Sequence, residues 1–306
     1  MINIFLIPIK WLFYIIVGIK NFCYNILLCK IYTFDIPIIS IGNIAFGGTG
    51  KTPMVIHLGE KLKINGYKPA VISRGYKRQS SGLVVVNDGN NTLSNVNNTG
   101  DEPYLISKRL RDVPVVVCKK REQAVEYILN NFSDVNVILL DDGFQYRRLN
   151  RNVDIVLLNG GECSDILREP KSSLKRADII LTLDKQYSIT EFQNDTFTPK
   201  DPNTGVYAFC GIANSESFLS FIKSKNIDIK GQSVFKDHHK YSNQSMKTLE
   251  NSINQSGADS IITTEKDLVK LSVDFLKSHK IYIVMVSIHF EDDTYYNKII
   301  KGIAKL

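Results

Sequence analysis

Acidic residues are missing from the first 34 positions, where Lys10, Lys20 and Lys30 are the only charged side chains. Nothing in that segment would repel an anionic surface. Long apolar runs are missing too. The longest charge-free stretch inside its helical pattern, Trp11 to Ile19, falls short of the roughly 20 apolar residues that cross a bilayer. No small-x-small site follows, which argues against a cleaved signal peptide. Cysteine is sparse: Cys23, Cys29, Cys118, Cys163 and Cys210 form no Cys-x-x-Cys pair and have no histidine at a zinc spacing. An odd, scattered set of thiols fits a reducing cytoplasm. No internal repeat is present.

The rest is ordinary globular composition. The 306 residues are 43% hydrophobic and 23% charged, enough for two modest domains with real cores. The net charge of +7 favours anionic partners. It does not suggest nucleic acid, because no helix-turn-helix, zinc or single-strand module accompanies it. On a helical wheel, Trp11, Ile15, Ile19, Phe22, Cys23, Ile26 and Leu27 share one broad face, and Lys10, Tyr14, Lys20, Asn21, Tyr24 and Asn25 the other. This pattern predicts an in-plane membrane helix over the first 34 residues, drawn to anionic lipid by its lysines.

The chain is organised around Ser40 to Pro53, S-I-G-N-I-A-F-G-G-T-G-K-T-P. The apolar run Ile36 to Ile41 reads as a buried strand, followed by a glycine-dense turn and then a helix opened by Lys51 and Thr52. A strand, glycine loop and helix in that order cradle phosphates with backbone N–H groups, while the helix N-terminus adds partial positive charge. Lys51 would reach the terminal phosphates and the Thr52 hydroxyl would meet Mg²⁺. Gly47, Gly48, Thr49 and Gly50 make up the loop, although Ala45 stands where the usual spacing has a first glycine.

From Asp35 to Asp184, short apolar strands alternate with helical patterns, which predicts an α/β fold: a mostly parallel, phosphate-loop NTPase-like sheet covered by helices on both faces. Reactive residues in such sheets gather beyond the carboxyl ends of the strands. Arg74 of S-R-G-Y stands there. So do Asp101 and Glu102 of G-D-E-P, reached through a polar 87–100 loop, and Asp141, Asp142 and Gln145 of D-D-G-F-Q. An apolar strand ending in aspartate is the usual partner of a phosphate loop, because its carboxylate holds Mg²⁺ directly or through water. Arg147, Arg148 and Arg151 follow as a basic cluster, and Arg168 lies in L-R-E-P. Residues 185–205 read as a linker, rich in turn formers and without a sustained period. Residues 206–306 read as a second, smaller α/β domain containing Phe235-Lys236-Asp237-His238-His239 and Thr263-Thr264-Glu265-Lys266-Asp267. Its final helix is expected near 266–277.

Taken together and in this order, these motifs resemble the tetraacyldisaccharide 4′-kinase family, the ATP-dependent kinases of lipid A biosynthesis. The likeness runs from about Pro37 to Leu271. The resemblance implies transfer of the ATP γ-phosphoryl group to the 4′-hydroxyl of a lipid A disaccharide precursor, at the cytoplasmic face of the bacterial inner membrane. It also implies that Asp101 and His238 pair as the base, that Lys51 acts on the transferring group, and that Thr52 with one or both of Asp141 and Asp142 holds Mg²⁺. Arg74, Glu102, Gln145 and Arg168 become candidate substrate-binding residues. Tyr146 stands where the family has histidine, which argues against a metal or proton role there. Gly161 to Ile166 also depart from the family's proline- and glycine-containing run. The rival reading is a membrane-recruited nucleotide switch like the partitioning ATPases, but those carry a lysine where this chain has Phe46.

Overall fold

The computed structural model describes residues 6–45, 47–158, 167–193 and 196–304, with side chains from residue 12 onward. Phe46, Cys163 and the run Gly161 to Ile166 lie outside the described residues. The fold is mixed α/β, with two mostly parallel sheets. Helix α1 (Leu6–Asn25) leads to β1 (Ile38–Gly42), α2 (Lys51–Ile64), β2 (Pro69–Ser73), β3 (Val84–Asp88), α3 (Val96–Thr99), α4 (Asp101–Arg109) and β4 (Pro114–Val117). Then come α5 (Arg121–Asn131), β5 (Val137–Asp141), β6 (Val153–Leu158) and β7 (Ile179–Thr182). These strands form the first sheet in the order β3-β4-β2-β5-β1-β6-β7, parallel except for β3 against β4.

Alternation along each strand sends neighbouring side chains to opposite faces. Ile39, Ile41, Val71, Leu139 and Ile155 face α2 and α4, whereas Ile38, Ile72, Ile138 and Leu140 face α5. Strands buried on both sides therefore read as unbroken apolar runs, and that is why they were visible in the sequence.

The second sheet begins one residue after β7. It contains β8 (Asp184–Gln193), β9 (Thr196–Pro199), β10 (Val206–Cys210), β11 (Ile229–Val234), β12 (Ser260–Thr264) and β13 (Ile281–His289), in the order β11-β10-β12-β13-β8-β9. Helices α6 (Ser215–Ser224) and α7 (Asn243–Ser256) cover its two faces, joined by the short α8 (Glu265–Leu268) and α9 (Val273–Ser278).

Three expectations are corrected. Residues 185–205 are not a linker, because most of them belong to the β8–β9 hairpin, in which β8 pairs antiparallel with β13. Ile189 packs on one face of the sheet and Phe192 on the other, but polar residues between them hide the strand period. The single helix near 266–277 is two helices, because Ser272 starts the second by accepting a hydrogen bond from the Phe275 N–H at 3.3 Å. The 206–306 unit also does not keep its last helix. Helix α10 (Thr294–Ile303) returns to the first sheet and buries Tyr295, Tyr296, Ile299 and Ile303 beside Met54, Val153 and Ile155.

Helix α1 turns its polar side inward. Tyr24 is buried, the Tyr14 hydroxyl accepts from the Leu167 N–H at 3.3 Å, and the Asn21 amide donates to Glu169 at 3.3 Å. Arg147 donates to the Asn21 carbonyl at 2.7 Å and to Asn25 at 2.9 Å. Leu12, Ile16, Ile19 and Phe22 are left outward, each 58–60% exposed. No helix among the described residues is long and apolar enough to cross a membrane.

Because Ile299 is fully buried in the first core, Ile299→Ala is expected to cost about 2 to 5 kcal/mol of unfolding free energy in a denaturant titration. A neutral outcome would mean that α10 does not dock there.

Candidate functional site

The phosphate loop leaves β1 and is braced from two directions. Asn43, fully buried, donates from its amide to the Thr49 hydroxyl at 2.8 Å, and Gln145 donates to the Asn43 carbonyl at 2.8 Å. Gly47 and Gly50 have φ of 104° and 95°, in the left-handed region that favours glycine. An added Cβ on Gly50 would stand 2.8 Å from Leu183 Cδ1 and 2.9 Å from Lys185 Cε, so those side-chain ends would have to shift. Lys51 and the buried Thr52 then open α2.

Strand β5 lies between β2 and β1, with Asp141 opposite Ile41, so its last residue emerges beside the loop. Asp141 is 1% exposed, and its Oδ2 accepts from the Ser73 hydroxyl at 2.8 Å. Its Oδ1 is buried with no hydrogen-bond partner among the described residues. Burial, followed by the charges of Glu102 and Asp142, pushes this carboxyl up to about 7. Asp142 adopts φ 52° and meets Lys51 at 3.4 Å and Arg168 at 2.7 Å.

A second cluster spans the two sheets. Asp101, the first residue of α4, approaches His238 Nδ1 at 3.0 Å and Lys270 at 3.7 Å. Lys270 is itself anchored on the fully buried Asp267 at 2.8 Å, and Asp267 also accepts from the Gly211 N–H at 2.9 Å and the Tyr241 hydroxyl at 3.0 Å. Glu102 accepts from Lys266 at 2.6 Å, and Arg109 in the last turn of α4 pairs with Glu265. Helix α4 thus offers acids at its start and a base at its end to complementary charges on the second unit. Glu102 links the two clusters: burial opposes its charge, but Lys266 prevails, with Lys51 and His238 adding to it, and the carboxyl is held at about 2. A cavity of about 270 Å³ opens beside the pair, lined by Lys77, Gln79, Asn97, Asp101, His238 and Lys270.

Residues 2–304 match the family described as Tetraacyldisaccharide-1-P 4′-kinase. The chain belongs to that family. A tetraacyldisaccharide 4′-kinase of Chlorobium chlorochromatii is 34% identical, the match covering 86% of this chain and 82% of the relative. One of Desulfotalea psychrophila is 33% identical, with 86% of each covered. A crystal structure of the Aquifex aeolicus LpxK in complex with ATP superposes with a TM-score of 0.84 and 29% identity over 99% of both chains.

In this tetraacyldisaccharide 4′-kinase family member, the expected site residues fall into two groups. Lys51, Thr52, Asp141, Asp142 and Arg168 gather at the loop, and Asp101, Glu102 and His238 at the junction of the sheets. Gln145 braces the loop through Asn43. Arg74 stands exposed just past Ser73, and no hydrogen bond among the described residues ties it to the other site groups. The arginine cluster makes contacts within the fold: Arg147 holds α1, Arg148 pairs with Glu122 at 3.3 Å, and Arg151 pairs with Asp154 at 2.7 Å. Tyr146 donates to Glu122 and accepts from the Arg121 N–H at 3.2 Å, at the start of α5. Sequence reasoning missed Ser73, Lys185, Lys266 and Lys270. The T-T-E-K-D motif marked the neighbourhood of the last two, but the acids they meet on α4, Glu102 and Asp101, lie more than 160 residues away. Among the described residues, no three His, Cys, Asp or Glu side chains gather as a metal cluster.

The Glu102–Lys266 pair makes stability pH-dependent. A carboxyl held near 2 stabilises the fold above its ordinary value of 4.5 and loses that contribution as pH falls toward 2. Glu102→Gln is therefore expected to lower the melting temperature at pH 7, with a deficit that shrinks below about pH 4.5 and closes near pH 2. A deficit independent of pH would assign Glu102 a packing role instead.

Proposed function

We propose that this kinase transfers the γ-phosphoryl group of ATP to the 4′-hydroxyl of a tetraacyl glucosamine disaccharide 1-phosphate, giving the 4′-phosphorylated lipid A precursor. The observation that carries the reading is the 3.0 Å contact between His238 Nδ1 and Asp101, made across two sheets beside an open cavity. A neutral imidazole that donates from Nδ1 to Asp101 presents its Nε2 lone pair to a hydroxyl proton, with Asp237 Oδ2 3.8 Å from that nitrogen. The other end of the reaction belongs to the loop, whose N–H groups and Lys51 offset charge on the transferring group. Lys51 now rests on Asp142 and would exchange that carboxylate for phosphate oxygens.

The loop residues also fit Mg²⁺. Asp141 Oδ1 is a buried oxygen without a hydrogen-bond partner among the described residues, Thr52 supplies a hydroxyl, and Asp142 follows Asp141 in the chain. Hard oxygen donors in small number suit a cation that shares its coordination with phosphate and water. Mg²⁺ bound there would draw charge from the β- and γ-phosphate oxygens.

The acceptor is lipid-linked, and the outward face of α1 supports peripheral attachment at the cytoplasmic side of the bacterial inner membrane. Leu12, Ile16, Ile19 and Phe22 would each gain roughly 1 to 2 kcal/mol on leaving water, being already partly covered. Lys30 would add attraction to anionic headgroups.

Radiolabel from γ-labelled ATP is expected to appear on the distal sugar of purified tetraacyldisaccharide 1-phosphate. Asp101→Asn and His238→Ala should each lower turnover by about 10² to 10⁴ while ATP still binds; undiminished turnover in both would remove the assigned base. For attachment, Ile16→Glu with Ile19→Glu is expected to release the protein from anionic vesicles in a flotation assay. Retention would mean that another surface binds them.

A further inference from the structure

The segment that carries the chain from the first sheet to the second passes against the phosphate loop. Leu183 alone separates β7 from β8, and Lys185 is the second residue of β8. The Lys185 ammonium donates to the Gly48 carbonyl at 3.3 Å, and its Cε occupies the space where a side chain on Gly50 would stand. Its cross-strand partner is the apolar Ile288, and Asp184 points to the opposite face of the strand.

The surroundings of this lysine differ from those of the other site lysines. Lys51 rests on Asp142, Lys266 on Glu102, and Lys270 on Asp267. Lys185 has no carboxylate partner among the described residues, so its charge is partly desolvated with only a carbonyl dipole to offset it. Burial lowers its pKa, and no neighbouring acid works against that. A half-buried cation held this way costs some free energy until an anion completes it. The loop beneath it is shaped for a polyphosphate.

We infer that Lys185 is a second cation of the nucleotide site, exchanging the Gly48 carbonyl for a β- or γ-phosphate oxygen once the loop is filled. This rests on the reading of the loop as the ATP site. Lys51 then approaches the polyphosphate from the first unit and Lys185 from the strand that begins the second.

The test measures ATP and AMP dissociation constants by calorimetry on the full chain in detergent, for the wild type and for Lys185→Met, Lys185→Gln and Lys185→Arg. A lost charge-assisted hydrogen bond corresponds to about a tenfold or greater weakening. Met and Gln are expected to weaken ATP by that factor and to leave AMP, which lacks the β- and γ-phosphates, within about twofold. Arg is expected to bind ATP like the wild type. Near-normal ATP binding by the Gln variant would reduce Lys185 to a hydrogen bond on the loop and overturn the inference. Equal losses for ATP and AMP would do the same, by pointing to a distorted loop. Absence of ATP binding in the wild type would instead remove the nucleotide-site reading itself.

Discussion

Helix α2 is the part on which the other arrangements depend. Its first residue closes the phosphate loop, and both passages of the chain between the sheets touch it or the loop just before it. Leu183 and Lys185 press on Gly50 on the outward passage. On the return, His57 meets the Tyr295 hydroxyl at 2.6 Å, Lys61 pairs with Asp293, and Phe290 stacks on Tyr295 with ring centroids 4.0 Å apart. Anything that shifts α2 by a fraction of an ångström is felt at both connections, because packed interiors transmit displacement rather than absorb it.

That mechanical coupling matters because the proposed base is divided. Asp101 belongs to one unit and His238 to the other, so their 3.0 Å contact exists only when the units are correctly placed. Lys266, Lys270 and Glu265 repeat the requirement with their own partners on or beside α4. Partly buried ion pairs of this kind add little net stability but penalise misplacement heavily, since a separated partner is left charged and poorly solvated. They fix an orientation. His238 itself sits at φ 60°, a backbone conformation uncommon outside glycine, so local structure as well as side-chain bonding directs its ring.

How much could be read from the chain follows from the range of each interaction. The loop from Ser40 to Pro53 and the strand ending at Asp141 are local patterns, with apolar runs closed by glycines or carboxylates, and both appear where expected. The β8–β9 hairpin escaped because strands near a sheet edge need bury only part of their side chains, so Asp184 to Gln193 resembles polar connecting chain. The destination of α10 was invisible for another reason. No helix was expected beyond 266–277, and nothing in these ten residues says which of two sheets will receive them. The cationic contacts at Lys185, Lys266 and Lys270 likewise depend on partners distant in sequence. The inward polar face of α1 inverts the usual expectation for a globular protein, and only Glu169, Gln145 and Arg147, far along the chain, explain it.

The return of α10 has a consequence for how the gene product is put together. Residues 184 to 289 leave from the end of β7 and rejoin the first core at Phe290, so the second unit is topologically an insert whose two ends share one host. A premature stop codon that removed only the last dozen residues would spare the inserted half and unseat the half that was translated first.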